Sequence, residues 1–394
     1  MAVGLNFNPD FNMLNNEGVW DVKGGYDGMR FANEGNYNEW LLGYESDRDG
    51  AWWGGVYFRT AFQSPSFSAG WQILDNTSIV LPEAFMRLGF GDKGWNFWLG
   101  RRYNDKIALG MMDYYMSNLD ADGFGVENIS LGKFAILDFN LLFTYDNNAT
   151  VIDPTNNSNI LKNVFIGKST AAFVLRGINA GPGELKFIIA PTVQGGGKVE
   201  NVDIPYLGGA FLSARYDLGT FLTGNDGSFE FFGGYGFGSG ANQAAATASI
   251  VPDGPATTAP AFDIGDWSVL GGVQGNVSWT EDFSAMMTLY YEHRSWESMK
   301  NFMSFGMRPM YKLTDIFGIQ LEYDFEGAFD NSSYVNRFTL APTFTPIGGG
   351  VKSGLQIFPY VAVGIGDFKG GDSVAFSNGG NVGMSWGVAG YAGF

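Results

Sequence analysis

The chain contains no cysteine, a single histidine, and few charges for its length, with charged residues making up 16% of 394 positions. A soluble chain of average composition carries about 25%. Without cysteine there is neither a disulfide framework nor a thiolate metal site, which fits an oxidising compartment where stray thiols are a liability. No apolar run reaches the roughly 18 residues that a membrane-spanning helix needs. Cations are the scarcer sign, with 23 Lys and Arg against 40 Asp and Glu and a net charge of −17. Nucleic acid is therefore not an expected partner, because a phosphate backbone demands a basic footprint. A collagen-like or disordered chain is excluded by the missing G-X-Y period and by the many large apolar side chains. His293 has no second histidine and no Gly-x-Ser-x-Gly elbow to work with, and a glycosidase pair cannot be singled out among the carboxylates by sequence. Glycine clusters such as Gly236-Phe237-Gly238 open no helix and so make no phosphate loop. Neither an enzyme nor a cofactor is expected.

What the chain has instead is glycine, 58 residues, and aromatic residues at 16%, arranged with a period of two. From Trp267 to Trp279 one face reads Trp267, Val269, Gly271, Val273, Gly275, Val277, Trp279, and the other Ser268, Leu270, Gly272, Gln274, Asn276, Ser278. An apolar face with a tryptophan at each tip suits a strand that meets lipid between two aromatic girdles. Leu137 to Tyr145 and Ile319 to Phe325 repeat the alternation. Period alone does not separate a soluble sandwich, whose polar face looks at water, from a membrane barrel, whose polar face lines the lumen. The number of strands, the aromatic tips and the shortage of lysine favour the barrel.

About eighteen such segments are expected, near 18–22, 37–45, 51–61, 83–90, 95–103, 123–132, 134–145, 163–176, 184–195, 207–217, 228–238, 265–279, 282–294, 299–312, 316–325, 335–345, 354–364 and 383–394. The fold class is thus all-β, a transmembrane antiparallel barrel whose strand count leaves a water-filled lumen. Short turns such as Trp279-Thr280-Glu281-Asp282 alternate with longer stretches at 146–162, 239–263 and 365–382, the asymmetry of a barrel with turns at one end and loops at the other. No internal boundary or repeat divides residues 1–394, so one barrel domain is expected. The last strand carries Met384, Trp386, Val388, Gly390, Ala392 and Phe394 on one face. A final alternating strand with a terminal aromatic is characteristic of outer-membrane barrels. Met1-Ala2-Val3-Gly4 has no leader pattern, and the chain reads as a mature form behind an added start Met. Arg308-Pro309 interrupts an apolar strand, and because proline removes a ladder donor a bulge or strand end is expected there.

Two blocks of the chain stand out as longer motifs. One is Trp98-Leu99-Gly100-Arg101-Arg102-Tyr103, followed by Met112-Asp113-Tyr114-Tyr115 and Gly123-Phe124-Gly125-Val126-Glu127-Asn128-Ile129. The other is Gly306-Met307-Arg308-Pro309-Met310-Tyr311-Lys312-Leu313-Thr314, with Tyr323-Asp324 and Thr339-Leu340-Ala341 downstream, and a weaker match is Arg30-Phe31-Ala32-Asn33-Glu34 through Tyr37 and Glu39. In this order the blocks resemble the maltoporin family of sugar-specific porins. The resemblance implies an eighteen-stranded barrel in the bacterial outer membrane, a homotrimer, and a loop near 104–122 folded inward as a constriction. It also implies a helical track of aromatic side chains that carries oligosaccharide, with polar residues beside it. Tyr37 and Tyr115 fall on the aromatic track, and Arg30, Glu39, Lys106 and Asp113 on the polar one. The chain departs from the pattern at Asn118, where an acidic residue is usual, at Lys106, which replaces an arginine and its planar fork, and at Pro82, where another track arginine is expected. Gly393 replaces a slide tryptophan, and the segment with Phe7, Pro9 and Phe11 does not match the family's opening motif.

The chemistry of the track follows from the ligand. Flat aromatic rings offer dispersion contact to the C–H face of a sugar, and ionised groups offer charge-assisted hydrogen bonds to its hydroxyls. A general diffusion porin with no binding track is the alternative, and there the same aromatics are girdle or packing residues and the charges are solvated lumen groups. Membrane lipid and lipopolysaccharide are the other expected partners, and external acidic loops could bridge them through divalent cations.

Overall fold

The structure is a computed structural model that describes residues 2–12, 36–46, 51–64, 78–91, 94–105, 107–109, 111, 115–117, 119–153, 156–195, 197–199, 202–204, 206–220, 227–241, 265–295, 301–330, 333–346, 355–367 and 382–392. In chain order the strands are β1 (Ala2–Asn12), β2 (Asn36–Glu45), β3 (Trp52–Ser64), β4 (Ser78–Phe90), β5 (Asn96–Arg102), β6 (Ile107–Ala108), β7 (Tyr115–Ser117) and β8 (Ala121–Ser130). There follow β9 (Ile136–Asp153), β10 (Asn156–Ala180), β11 (Gly183–Gly195), β12 (Gly197–Val199), β13 (Val202–Ile204), β14 (Leu207–Asp217) and β15 (Gly227–Gly238). The last seven are β16 (Trp267–Ser278), β17 (Phe283–Arg294), β18 (Asn301–Lys312), β19 (Phe317–Ala328), β20 (Ser333–Phe344), β21 (Leu355–Asp367) and β22 (Val382–Ala392).

Eighteen of these strands form one antiparallel sheet, while β6 pairs only with β7 and β12 only with β13. Each barrel strand pairs with the next, and the ring closes where β1 meets β22 through Asp10↔Tyr391, Phe11↔Gly390 and Asn12↔Ala389. Closure leaves no unpaired edge, the condition for a sheet to sit in lipid. One end of the ring carries short turns such as 91–95, 131–135 and 279–282, and the other carries longer connections such as 103–120 and 239–266.

Alternation sorts the two faces as expected. Trp40, Leu42, Val56, Phe58, Met86, Leu88, Ile189, Val193, Leu321, Phe338 and Leu340 are exposed apolar side chains, as are Trp267, Val269 and Trp279. Between them, Glu83, Asn140, Thr192, Gln320, Glu322, Asp324, Arg337 and Thr339 point to the other side and are buried. A belt of exposed apolar residues around a polar interior inverts a soluble protein, and only a hydrocarbon solvent makes it stable. His293 lies in the aromatic girdle, stacked on Trp267 with ring centroids 4.9 Å apart.

The strand expected at 18–22 lies outside the described residues, and the first described strand is Ala2–Asn12. Three local expectations need correction. The stretch 146–162 is not a loop, because β9 and β10 continue through it as a long hairpin. Residues 365–367, expected to open a loop, belong instead to β21, which ends at Asp367. No bulge marks Arg308-Pro309, since Ala285↔Pro309 and Met286↔Arg308 stay in register with β17, and Met307↔Tyr323 and Met310↔Gln320 keep one register with β19. The proline interrupts that ladder without shifting it. The bulge sits instead at Pro82: β3 and β4 shift register between Arg59↔Glu83 and Ala61↔Val80, which puts Leu81 and Pro82 opposite Thr60 alone. An unpaired bulge position is where a barrel tolerates a residue without an N–H.

The connection between β5 and β8 turns into the barrel. Leu109, Met111 and Leu119 within it are at most 1% exposed. Asp105 forms an ion pair with Lys186 on β11, Ser117 Oγ donates to the Asp105 carbonyl at 2.6 Å, and Leu119 N donates to Asn104 O at 3.0 Å. Met111 reaches Gly306 on β18, so close that a Cβ on the glycine would lie 3.1 Å from the methionine Cε. β18 is nine steps from β5 in either direction around the ring, so the segment crosses the full width of the lumen.

Lys168, on the inner face of β10, is 3% exposed. Its cross-strand neighbours are Gln194 and Thr144, whose Oε1 and Oγ1 have no hydrogen-bond partner. Burying an ammonium without a carboxylate costs several kcal/mol. Lys168→Met is expected to stabilise the barrel by about 1–3 kcal/mol, read as a higher midpoint in urea-induced unfolding from lipid vesicles. A lowered midpoint would show that the ammonium is held favourably.

Candidate functional site

The inner face of β2 to β5 and β8 carries an array of aromatic rings and guanidinium groups. It arises because odd positions of β3 and β4 point inward, which brings Tyr57 opposite Phe85 and Arg59 opposite Glu83. The rings of Tyr57 and Phe85 stack with centroids 4.7 Å apart and planes at 15°. The Tyr57 hydroxyl donates to Glu45 on β2. Arg87 lies 5.7 Å from the Tyr57 ring centroid and 5.5 Å from that of Phe85, and Arg102 lies 5.2 Å from Phe85 and 5.0 Å from Trp98. Arg59 sits 5.2 Å from the ring of Tyr103. Such contacts hold long cationic side chains flat against the wall.

Each guanidinium in the array also has a carboxylate. Glu127 on β8 takes Arg102 Nη1 at 2.6 Å and Arg87 Nη2 at 3.3 Å. Glu83 pairs with Arg59 and accepts the Tyr103 backbone N–H at 2.8 Å. Trp98 backs the array, fully buried, with its Nε1 donating to Asn140 Oδ1 at 2.8 Å. The wall thus presents apolar ring faces and fixed donors and acceptors in one surface, with charge balanced locally.

Across the lumen, β17 to β20 carry a second polar wall. Arg308 pairs with Glu322, Asp324 stands opposite Arg337, and Arg294 Nε bonds Glu292 at 3.0 Å while the Tyr290 hydroxyl donates to Glu292 at 2.8 Å. Met111 is seated against this wall, at Gly306 and beside Asp324. Among the described residues no group of three His, Asp or Glu side chains could hold a metal ion.

The residues singled out in the sequence are placed only in part. Arg30, Lys106 and Asp113 lie outside the described residues, as does Asn118. Tyr37 and Glu39 belong to β2, where register pairs them with Gln63 and Ala61, and alternation puts both positions in one row with Glu45. Tyr115 opens β7, which pairs with β6 inside the barrel. Trp98 is a packing residue, as its type and setting suggest. The array of Tyr57, Phe85, Arg59, Arg87 and Glu127 was not picked out in the sequence. Its partners lie up to 40 positions apart, and the signal that could have found them is inward-facing Arg and aromatic residues on consecutive strands.

A family profile described as LamB porin matches residues 3–354. A comparison with curated proteins finds no match. Solved structures similar to this one include a BenF-like porin from Pseudomonas fluorescens Pf-5, 9% identical, with a TM-score of 0.50 over 100% of this chain and 99% of that one. The outer membrane protein OprD from Pseudomonas aeruginosa aligns over 99% of this chain and 93% of its own at 10% identity, with a TM-score of 0.49. Wzi of Escherichia coli, described as a carbohydrate-binding β-barrel, covers 100% of this chain and 85% of its own at 10% identity, with a TM-score of 0.45. With its apolar outer belt and polar interior, the chain is a bacterial outer-membrane porin and belongs to the LamB porin family.

Proposed function

We propose that this porin carries oligosaccharides by facilitated diffusion, along aromatic and polar side chains that line a water-filled lumen. The observation that supports it most is the array on β3 to β5, where the stacked Tyr57 and Phe85 lie between Arg59, Arg87 and Arg102. A sugar ring can rest its C–H face on aromatic carbon and exchange hydroxyl hydrogen bonds with ionised groups at its edge. Weak binding repeated along a wall lets the solute leave as readily as it enters. Tyr37 and Glu39 would extend this wall toward the long-loop end. Tyr115, Lys106 and Asp113 would face it from the segment 104–122, acting as the constriction, with Arg30 completing the polar side. The working unit in this reading is a homotrimer in contact with lipopolysaccharide.

The test is ion current through single channels in a planar bilayer, with maltodextrins and other neutral oligosaccharides added. Concentration-dependent block of the current is expected. Tyr57→Ala combined with Phe85→Ala should weaken that block roughly tenfold, the effect of losing an aromatic contact worth about 1.4 kcal/mol. Conductance limited by solute size alone, with no block by any sugar, would make this a general diffusion porin.

A further inference from the structure

At its centre the inner wall from β18 to β20 carries more negative than positive charge. Alternate positions of a strand share a face, so Glu322, Asp324 and Glu326 form one inward row on β19. Opposite them stand two guanidinium groups, Arg308 on β18 and Arg337 on β20. The other inner positions nearby are uncharged: Ser304 and Met310 on β18, Val335 and Thr339 on β20, and Phe358 and Tyr360 on β21. Further along the wall, Glu292 and Arg294 on β17 balance each other.

Hydrogen bonding falls short at the same place. Asp324 is 2% exposed, and both of its carboxylate oxygens are buried with no hydrogen-bond partner among the described residues. Glu322 gives one oxygen to Arg308, while its Oε1 is equally unmet. The two carboxylates lie within hydrogen-bonding reach of each other, yet ionised carboxylates only accept. Both are closed off from solvent, and a buried carboxylate without a donor is costly. A single proton corrects both faults. Placed on Asp324, it donates to Glu322 Oε1, the arrangement of carboxyl pairs that share one proton. It also leaves two carboxylates against two guanidinium groups.

Asp324 is also where the crossing segment meets the wall. A Cβ on Gly306 would lie 3.0 Å from Asp324 Oδ1 and 3.1 Å from Met111 Cε. Met111 is itself buried. Its apolar side chain sits well against a neutral carboxyl and poorly against an ionised one, which has to regain water.

We propose that Glu322 and Asp324 share one proton and form a pH-sensitive seat for Met111, closed while the proton is held and open once it leaves. The step is an acid dissociation that passes the proton to lumen water and changes no other bond. It puts a third negative charge in a dry wall beside two positive ones. Hydrating that charge needs water between Asp324 and Met111, so the segment lifts away from β18. The lifted state binds one proton fewer than the seated state, and its share therefore grows as pH rises. Nothing in this device depends on which solute the pore carries.

The test is the open-channel current of the full-length protein in a planar bilayer, at constant salt and without sugar. Conductance is expected to rise roughly twofold between about pH 5 and about pH 9. Asp324→Asn, which has no charge and supplies an N–H to Glu322, should hold the low level at every pH. Glu326→Gln removes the excess charge without a proton and should reach the upper level at a lower pH, so it reads the seat even if Asp324→Asn fails to insert. His293→Phe, on the outer girdle, should respond as the wild type does. A flat wild-type profile overturns the proposal. So does a response that Asp324→Asn keeps, that Glu326→Gln leaves unmoved, or that His293→Phe loses.

Discussion

Replacing Gly306 by phenylalanine is expected to raise single-channel conductance roughly twofold or more and to weaken any block by solutes. Gly306 is where the segment that crosses the lumen meets the opposite wall. A Cβ there would lie 3.1 Å from Met111 Cε, 3.2 Å from Met111 Cβ and 3.0 Å from Asp324 Oδ1. The methionine Cε can swing away, but its Cβ moves only with the backbone, and Asp324 is held in the β19 ladder. Overpacking such a contact costs about 1–3 kcal/mol. The side that yields is the one with fewer constraints: β18 is paired with β17 from Asn301 to Tyr311 and with β19 on either side of Arg308-Pro309, whereas the crossing segment is held by the two-residue strand β6, its partner β7 and a few contacts. The phenyl ring should therefore push the segment off the wall and widen the passage. Gly306→Ala should show a smaller change in the same direction. Unchanged conductance together with a less stable barrel would mean that the wall gives way instead.

Glu127→Ala is expected to destabilise the barrel by about 3–5 kcal/mol, because removing one partner of a buried pair strands the other charge. Here one carboxylate serves two guanidinium groups, those of Arg87 and Arg102, and all three side chains are no more than 25% exposed. The loss should lower the urea midpoint for unfolding from vesicles. The same substitution leaves two positive charges in the lumen wall, so the reversal potential in asymmetric salt should move toward anion selectivity. Glu127→Gln, which still accepts hydrogen bonds, should keep part of the stability and show the same shift in selectivity. A midpoint within about 1 kcal/mol of wild type would indicate that Phe85 and Trp98, over which Arg102 lies, suffice to hold it.

Local alternation made the barrel legible. The tryptophans at 267 and 279 and the apolar residues between them lie on the outer face because a strand places every second side chain on the same side, whatever its neighbours are. Most strand boundaries follow for the same reason, and β14 runs Leu207–Asp217 as read directly from its residues. Alternation fails where neither face must meet hydrocarbon. The β9–β10 hairpin beyond residue 146 is rich in Asn and Thr, carries no apolar period, and reads as a loop although it pairs as strand. Proline shows a similar limit: its missing N–H is visible in the sequence at Pro82 and at Pro309 alike, but only at Pro82 does the neighbouring strand shift register. A bulge belongs to a pair of strands.

The same division runs through the site. Family-like motifs single out Tyr37 and Tyr115 because they are short and contiguous, but they do not bring together Tyr57, Phe85, Arg87 and Glu127, which lie on three different strands, β3, β4 and β8. Their meeting depends on register, and register is set by ladders formed between segments far apart in the chain. The sequence by itself therefore determined an outer-membrane barrel with a polar interior, because the period of its side chains and the solvent they face are local properties. Which inward side chains touch, and that Met111 crosses the lumen to Gly306, was decided only when the ring of strands closed and set opposite walls a fixed distance apart.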